Sequence, residues 1–176
     1  MRLWMLPVVA VALAACDRIA TSGLPPASCP RVTILQDGAD LTRFREGAGQ
    51  DLSVMVADAR IQGLNASCDY GQRGTVVNVS LTVQFQVERG PAARGPVSLP
   101  WFVIVTNADD ESVVQRRAYE MGVTFRPNVT RTSTTSPPVR MTFPIRDGRR
   151  ATDYNVRIAF QLTEQELEYN RRRGAR

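Results

Sequence analysis

The sequence predicts an all-β fold: an antiparallel β-sandwich of about seven strands, with a possible short helix at its C-terminus. Three observations carry this expectation. Short runs in which apolar and polar residues alternate recur along most of the chain, and Gly, Pro, Asp and Asn cluster between them. The clearest run, residues 75–87 (TVVNVSLTVQFQV), puts Val77, Val79, Leu81, Val83, Phe85 and Val87 on one face and Asn78, Ser80, Thr82, Gln84 and Gln86 on the other. Apolar residues at helical spacing are almost missing, so the alternating segments must bury their apolar faces against each other in two layers.

In chain order, a first strand is expected over 31–35, stopped by Asp37-Gly38. Residues 38–51 read as a loop with one helical turn near Leu41–Phe44. Over 52–68 the pattern is strand-like but irregular. Leu52, Val54 and Val56 share one parity, Ala57, Ala59 and Ile61 the other, and Leu64, Ala66 and Cys68 return to the first. A one-residue slip exchanges faces, so a bulge is expected, with Gly63 the candidate. After the 75–87 strand, the Gly90–Pro96 segment turns the chain. Leu99–Val105, nearly all apolar and containing Trp101 and Phe102, reads as a buried central strand. Residues 113–125 alternate again, and 126–138, rich in Thr, Ser and Pro, read as a long connection. Val139, Met141, Phe143 and Ile145 define a strand with Pro144 in it. Proline cannot donate to a ladder, which places that strand at an edge. Tyr154, Val156, Ile158, Phe160 and Leu162 form the last strand. Thr163 and Glu166 have capping-box spacing, and Arg171–Arg173 fall where a helix dipole favours cations. The strand count and short turns suggest an immunoglobulin-like or fibronectin-like sandwich in general form.

The N-terminus has a separate character. Met1-Arg2 is followed by an apolar run, LWMLPVVAVALAA, over residues 3–15. It has the length of a signal-peptide core and falls short of the roughly 20 residues that a membrane-spanning helix needs. Leu13-Ala14-Ala15-Cys16 then resembles the lipobox of bacterial lipoproteins: a leucine, two small residues and a cysteine. The resemblance implies cleavage after Ala15, a thioether diacylglycerol on Cys16 with palmitate-type acyl chains, and anchorage facing the periplasm. Asp17 stands where such proteins often carry an inner-membrane retention signal, a rule that varies between bacterial groups, so either envelope membrane remains open. A domain plan follows: signal peptide 1–15, lipidated cysteine and tether 16–28, sandwich 29–163, charged C-terminal tail 164–176.

Charge and cysteine usage narrow the function classes. All 22 cations are Arg, with no Lys and no His. Loss of Arg2 with the signal would leave a net charge of about +4, one less than the +5 of the whole chain. That excess is dispersed and is no nucleic-acid signature. With Cys16 lipidated, Cys29 and Cys68 remain as an even pair, expected to form a disulfide in an oxidising compartment, with two separate buried thiols as the alternative.

Without His there is no Ser-His-Asp or Cys-His catalysis and no histidine zinc site. Without Lys there is no Schiff base and no P-loop. Asp109-Asp110-Glu111, or Asp37 with Asp40, would be the acids available to calcium, but adjacent acids seldom converge on one ion, and both groups read as solvated turns. Trp101 and Phe102 read as core, with a pocket wall as the alternative. Arg171–Arg173 read as a solvated tail, with acidic lipid headgroups as the alternative. No cofactor and no metal are expected, and no catalytic residue is assigned. The sequence therefore points to a non-catalytic binding or assembly module whose partner is an envelope protein or cell-wall polymer. A carboxylate-dependent envelope hydrolase and a purely structural envelope protein are the alternatives.

Overall fold

The strongest alternation in the sequence forms the spine of one of two sheets in the computed structural model, which describes residues 28–109, 112–145, 148–174 and 176. Strand β4 (Val76–Arg89) has Val77, Val79, Leu81, Val83, Phe85 and Val87 buried on one face. Its neighbour β3 (Met55–Gly71) pairs with it antiparallel along nearly its whole length. The register skips one residue between Ile61 and Gly63. That bulge is the slip the sequence demands, with Gln62 and not Gly63 as the extra residue. Ala57, Ala59 and Ile61 face the core before it, and Leu64 and Cys68 pack against the core after it. Beyond β3 lies β2 (Asp40–Phe44), which pairs only with residues 55–60.

The other side of β4 is shared by two short strands. β8 (Val139–Pro144) pairs with residues 76–81 and β7 (Arg131–Thr135) with residues 84–88. Ser136 bridges the gap between them. Its N–H donates to the Val83 carbonyl at 2.9 Å, and its hydroxyl oxygen accepts from the Val83 N–H at 3.0 Å. A side chain thus replaces the ladder contact that the Pro137-Pro138 turn interrupts. Pro144 is the last residue of an edge strand, as expected.

The second sheet has the order β1-β9-β5-β6. It comprises β1 (Arg31–Ile34), β5 (Val97–Asn107), β6 (Val113–Val123) and β9 (Tyr154–Phe160). The first and last strands lie side by side in parallel, Val32 opposite Val156. The two sheets face each other over a common core, an arrangement consistent with a β-sandwich. Across it, Phe85 of one sheet meets Trp101 and Phe160 of the other at 5.6 Å between ring centroids. Tyr154 is buried with its hydroxyl donating to the Pro144 carbonyl at 2.6 Å, which satisfies the one polar atom of that ring. Gly90 is required where β4 turns back. A Cβ there would overlap the Met55 carbonyl oxygen, and the Gly90 N–H donates to Val56.

Four expectations need correction. The described residues form nine strands, where about seven were expected. Residues 40–44 are a strand and not a helical turn, because the polar side chains Asp40 and Thr42 find partners in a buried ionic network. Residues 131–135, read as connection, are the all-polar edge strand β7, held by backbone pairing to β4. The sheet is not wholly antiparallel, since β1 and β9 run together.

The C-terminal segment carries the expected short helix, with Arg171 and Arg172 exposed and Arg173 half-buried. It forms α1 (Glu164–Arg173), started by the expected capping box: Thr163 Oγ1 accepts from the Glu166 N–H, and Glu166 accepts from the Thr163 N–H. The helix lies against β2 and the Gln36–Gly38 turn. Phe44 and Tyr169 meet edge to face at 5.2 Å.

Candidate functional site

Two places gather side chains or backbone groups that core packing does not explain. The first is the seam between β2, β3 and the C-terminus. Asp40 and Thr42 on β2 stand opposite Arg60 and Asp58 on β3. Thr42 donates to Asp58 at 2.8 Å. Arg176 reaches both acids, Asp58 at 2.6 and 2.9 Å and Asp40 at 3.0 Å. Arg173 approaches Asp40 at 3.5 Å and Asp58 at 3.7 Å, and donates to Thr42. Arg60 closes the ring through the Arg176 carbonyl. The hydrogen bond to Asp58 raises the Arg176 pKa above its ordinary value, so the guanidinium stays charged. Asn170 donates to the Asp37 and Asp40 carbonyls, tying the helix to the start of β2. A shallow 200 Å³ pocket lies beside this seam, lined by Gln36, Asp37, Asp40, Asn170, Arg171 and Gly174. Chemically the seam is a lattice of neutralised charges: two adjacent carboxylates, each held by guanidinium groups.

The second place is the opposite half of β3. Beyond Ile61, whose N–H is taken by the Ala39 carbonyl, no described strand pairs with the outer edge of β3. This edge runs from Gln62 to Gly71, and Gln62–Cys68 carries no charge. Beneath it is a 430 Å³ groove lined by Cys29, Pro30, Val32, Leu64, Asn65, Ala66, Ser67, Cys68 and Val79. Its lining is mixed, with Val32, Leu64 and Val79 beside Asn65 and Ser67. The Cys29–Cys68 disulfide closes one end, with Cα atoms 5.8 Å apart. The Tyr70 hydroxyl donates to the Ser28 carbonyl at 2.7 Å, a second tie between the chain entering the domain and β3.

The residues singled out by sequence separate clearly. Cys29 and Cys68 are brought together. Cys16, and with it the whole lipobox, lies outside the described residues. Asp109 sits on an exposed turn, and Asp110 and Glu111 lie outside the described residues. Asp37 is exposed and pairs with Arg171 at 3.1 Å, whereas Asp40 is buried in the seam. Among the described residues, no group of three or more His, Cys, Asp or Glu is placed to hold a metal ion. Trp101 is core, stacked on Tyr119 at 4.7 Å. Phe102 points the other way and lies under the Arg116 guanidinium at 4.9 Å on the outer face. Arg172 bonds Gln50 and Glu168, so all three tail arginines are engaged. Sequence reasoning missed the Asp40–Asp58–Arg173–Arg176 seam. Its members are far apart in the chain, and β2 carries no apolar alternation to announce it.

No family model matches the chain, and neither a curated protein nor a solved structure matches it. No helix among the described residues is long and apolar enough to cross a membrane.

Proposed function

We propose that the chain is a lipid-anchored protein of the bacterial cell envelope, a non-catalytic binding or assembly module held to the membrane through Cys16. The observation that carries the binding half is the edge of β3 over Gln62–Gly71, which no described strand pairs with and whose one charge is Asp69, above a groove of mixed polar and apolar lining. Such an edge offers a row of backbone donors and acceptors to an added strand, and the groove offers room for its alternate side chains. The lipobox-like Leu13–Cys16 carries the anchoring half, since two or more acyl chains hold a protein stably where one binds reversibly. The seam weighs against a carboxylate-dependent hydrolase. Such an enzyme needs two carboxyls facing a substrate cleft, and Asp40 and Asp58 face arginines instead. In general form we read the body as an immunoglobulin-like or fibronectin-like sandwich that departs from full antiparallel pairing at β1 and β9.

The test is fractionation of cells expressing the full chain, with the Cys16→Ala variant alongside. The expected result is a membrane-bound, acyl-modified wild type and a Cys16→Ala variant lost from the membrane fraction. A wild-type chain cleaved after Ala15 that carries an unmodified thiol at Cys16 refutes the anchor. Affinity capture of the detergent-extracted protein tests the module. Recovery of neither a second copy, another envelope protein nor wall polymer refutes it.

A further inference from the structure

We propose that the free edge of β3 pairs antiparallel with the same edge of a second copy of this chain, about a two-fold axis at Ser67. This deepens the binding-module reading by naming the occupant.

The edges of β6, β7, β8 and β1 are guarded. β6 carries Arg116 and Arg117, and Arg117 reaches across to the Arg140 carbonyl on β8. β7 begins at Arg131, which is paired with Glu88 at 2.6 Å, and β8 ends at Pro144. β1 is four residues long. Charges, proline and shortness are the usual means of keeping a strand edge from pairing. β3 between Gln62 and Cys68 has none of them.

The available length fixes a register. Towards its N-terminal side the edge is closed by β2, at Ile61, and Gln62 is the bulged residue. The regular free run is therefore Gly63–Gly71, and its midpoint is Ser67. Opposed residues of an antiparallel pair point to the same face, so a two-fold pairing must place one residue opposite itself. With Ser67 there, every residue of the run gains a partner. Leu64 of one copy lies opposite Tyr70 of the other, and Asn65 lies opposite Asp69. Both pairs occur twice by symmetry.

The chemistry of these pairs is complementary. Tyr70, on the groove side with Leu64, is one of the few large hydrophobic side chains exposed among the described residues, at 37%. The apposed Leu64 would cover it. Asp69, already accepting from Asn78 at 2.8 Å, is the one charge on the free run, and it would face an amide and not its own copy. A two-fold axis normal to the sheet also leaves both Ser28 residues on the same side. Cys16 lies 12 residues upstream of Ser28, a reach of up to about 40 Å of extended chain, enough for both anchors to enter one bilayer. Confinement to that bilayer raises the effective concentration of the two edges.

The experiment uses the full chain in its membrane. Benzoylphenylalanine in place of Asn65 should photo-crosslink to a second copy, within the segment around Asp69. Asn65→Asp puts like charges opposite each other twice, and Asn65→Arg puts opposite charges there. The dimer dissociation constant in detergent solution should rise about fivefold for Asn65→Asp and fall about fivefold for Asn65→Arg. Circular dichroism of each variant checks that the fold is intact at this exposed position. A detergent-extracted protein that stays monomeric at every concentration overturns the proposal. So do crosslinks to a different protein or a distant segment, and so do two variants that shift the equilibrium the same way. Membrane retention in the Cys16→Ala comparison is read separately, so failure of pairing is distinguishable from failure of the anchor.

Discussion

Asp40 is 5% exposed, yet Arg176, Arg173 and Arg60 all reach it, at 3.0, 3.5 and 4.0 Å. A carboxylate so placed is stable because its charge is shared among guanidinium groups that are themselves half-buried. Removing it leaves those cations facing one another with one acid fewer. Asp40→Ala should therefore destabilise the protein by roughly 2–4 kcal/mol, towards the lower end because Arg176 retains contact with water and with Asp58. Urea unfolding measures this, and a change below about 0.5 kcal/mol would show the seam to be ornamental. At this scale the sequence was partly readable. Cys29 and Cys68 could be paired by counting cysteines. The partners of Asp40 could not, because Arg173 and Arg176 follow it by more than 130 residues, and only folding brings them near.

Elements with a strong internal signal were legible, and those held by their neighbours were not. β4 announces itself through six alternating apolar residues, and α1 through Thr163 and Glu166, whose reciprocal capping is local chemistry. β7, by contrast, reads Arg-Thr-Ser-Thr-Thr and has no apolar face at all. It is a strand because β4 has an open edge beside it and because Ser136 anchors the crossing from β7 to β8. Ser136 is 4% exposed and bonds Val83 through both its N–H and its hydroxyl. Ser136→Ala would leave the buried Val83 N–H without its acceptor. The expected cost is about 1–3 kcal/mol, with faster hydrogen exchange at Val83 and along 131–135. Unchanged protection there would mean that the bridge is dispensable.

For the whole molecule, the disulfide and the parallel β1–β9 pair do related work. β1 belongs to one sheet, and Cys29 just before it is bonded to β3 of the other. The bond closes a loop with a sequence separation of 39 and ties the chain's entry point across the sandwich. On the chain-entropy account it should contribute about 4 kcal/mol, less any strain in the native state. Reduction, or a Cys29→Ala/Cys68→Ala double variant, should lower the unfolding midpoint accordingly while the β-rich circular dichroism spectrum persists. Equal midpoints with and without reductant would contradict this.

By itself the sequence determined the class of structure, two layers of strands, because period-two alternation leaves an apolar face that water excludes and another sheet must cover. It also determined the bulge in β3, since the parity of apolar residues changes there, and the helix cap, since both partners lie within four residues. The tertiary structure decided which strands are neighbours, that the first and last run parallel, that β2 and β7 are strands at all, and that no described strand covers the outer edge of β3 beyond Ile61. Those outcomes depend on groups distant in the chain meeting in space, and no local pattern of side chains records them.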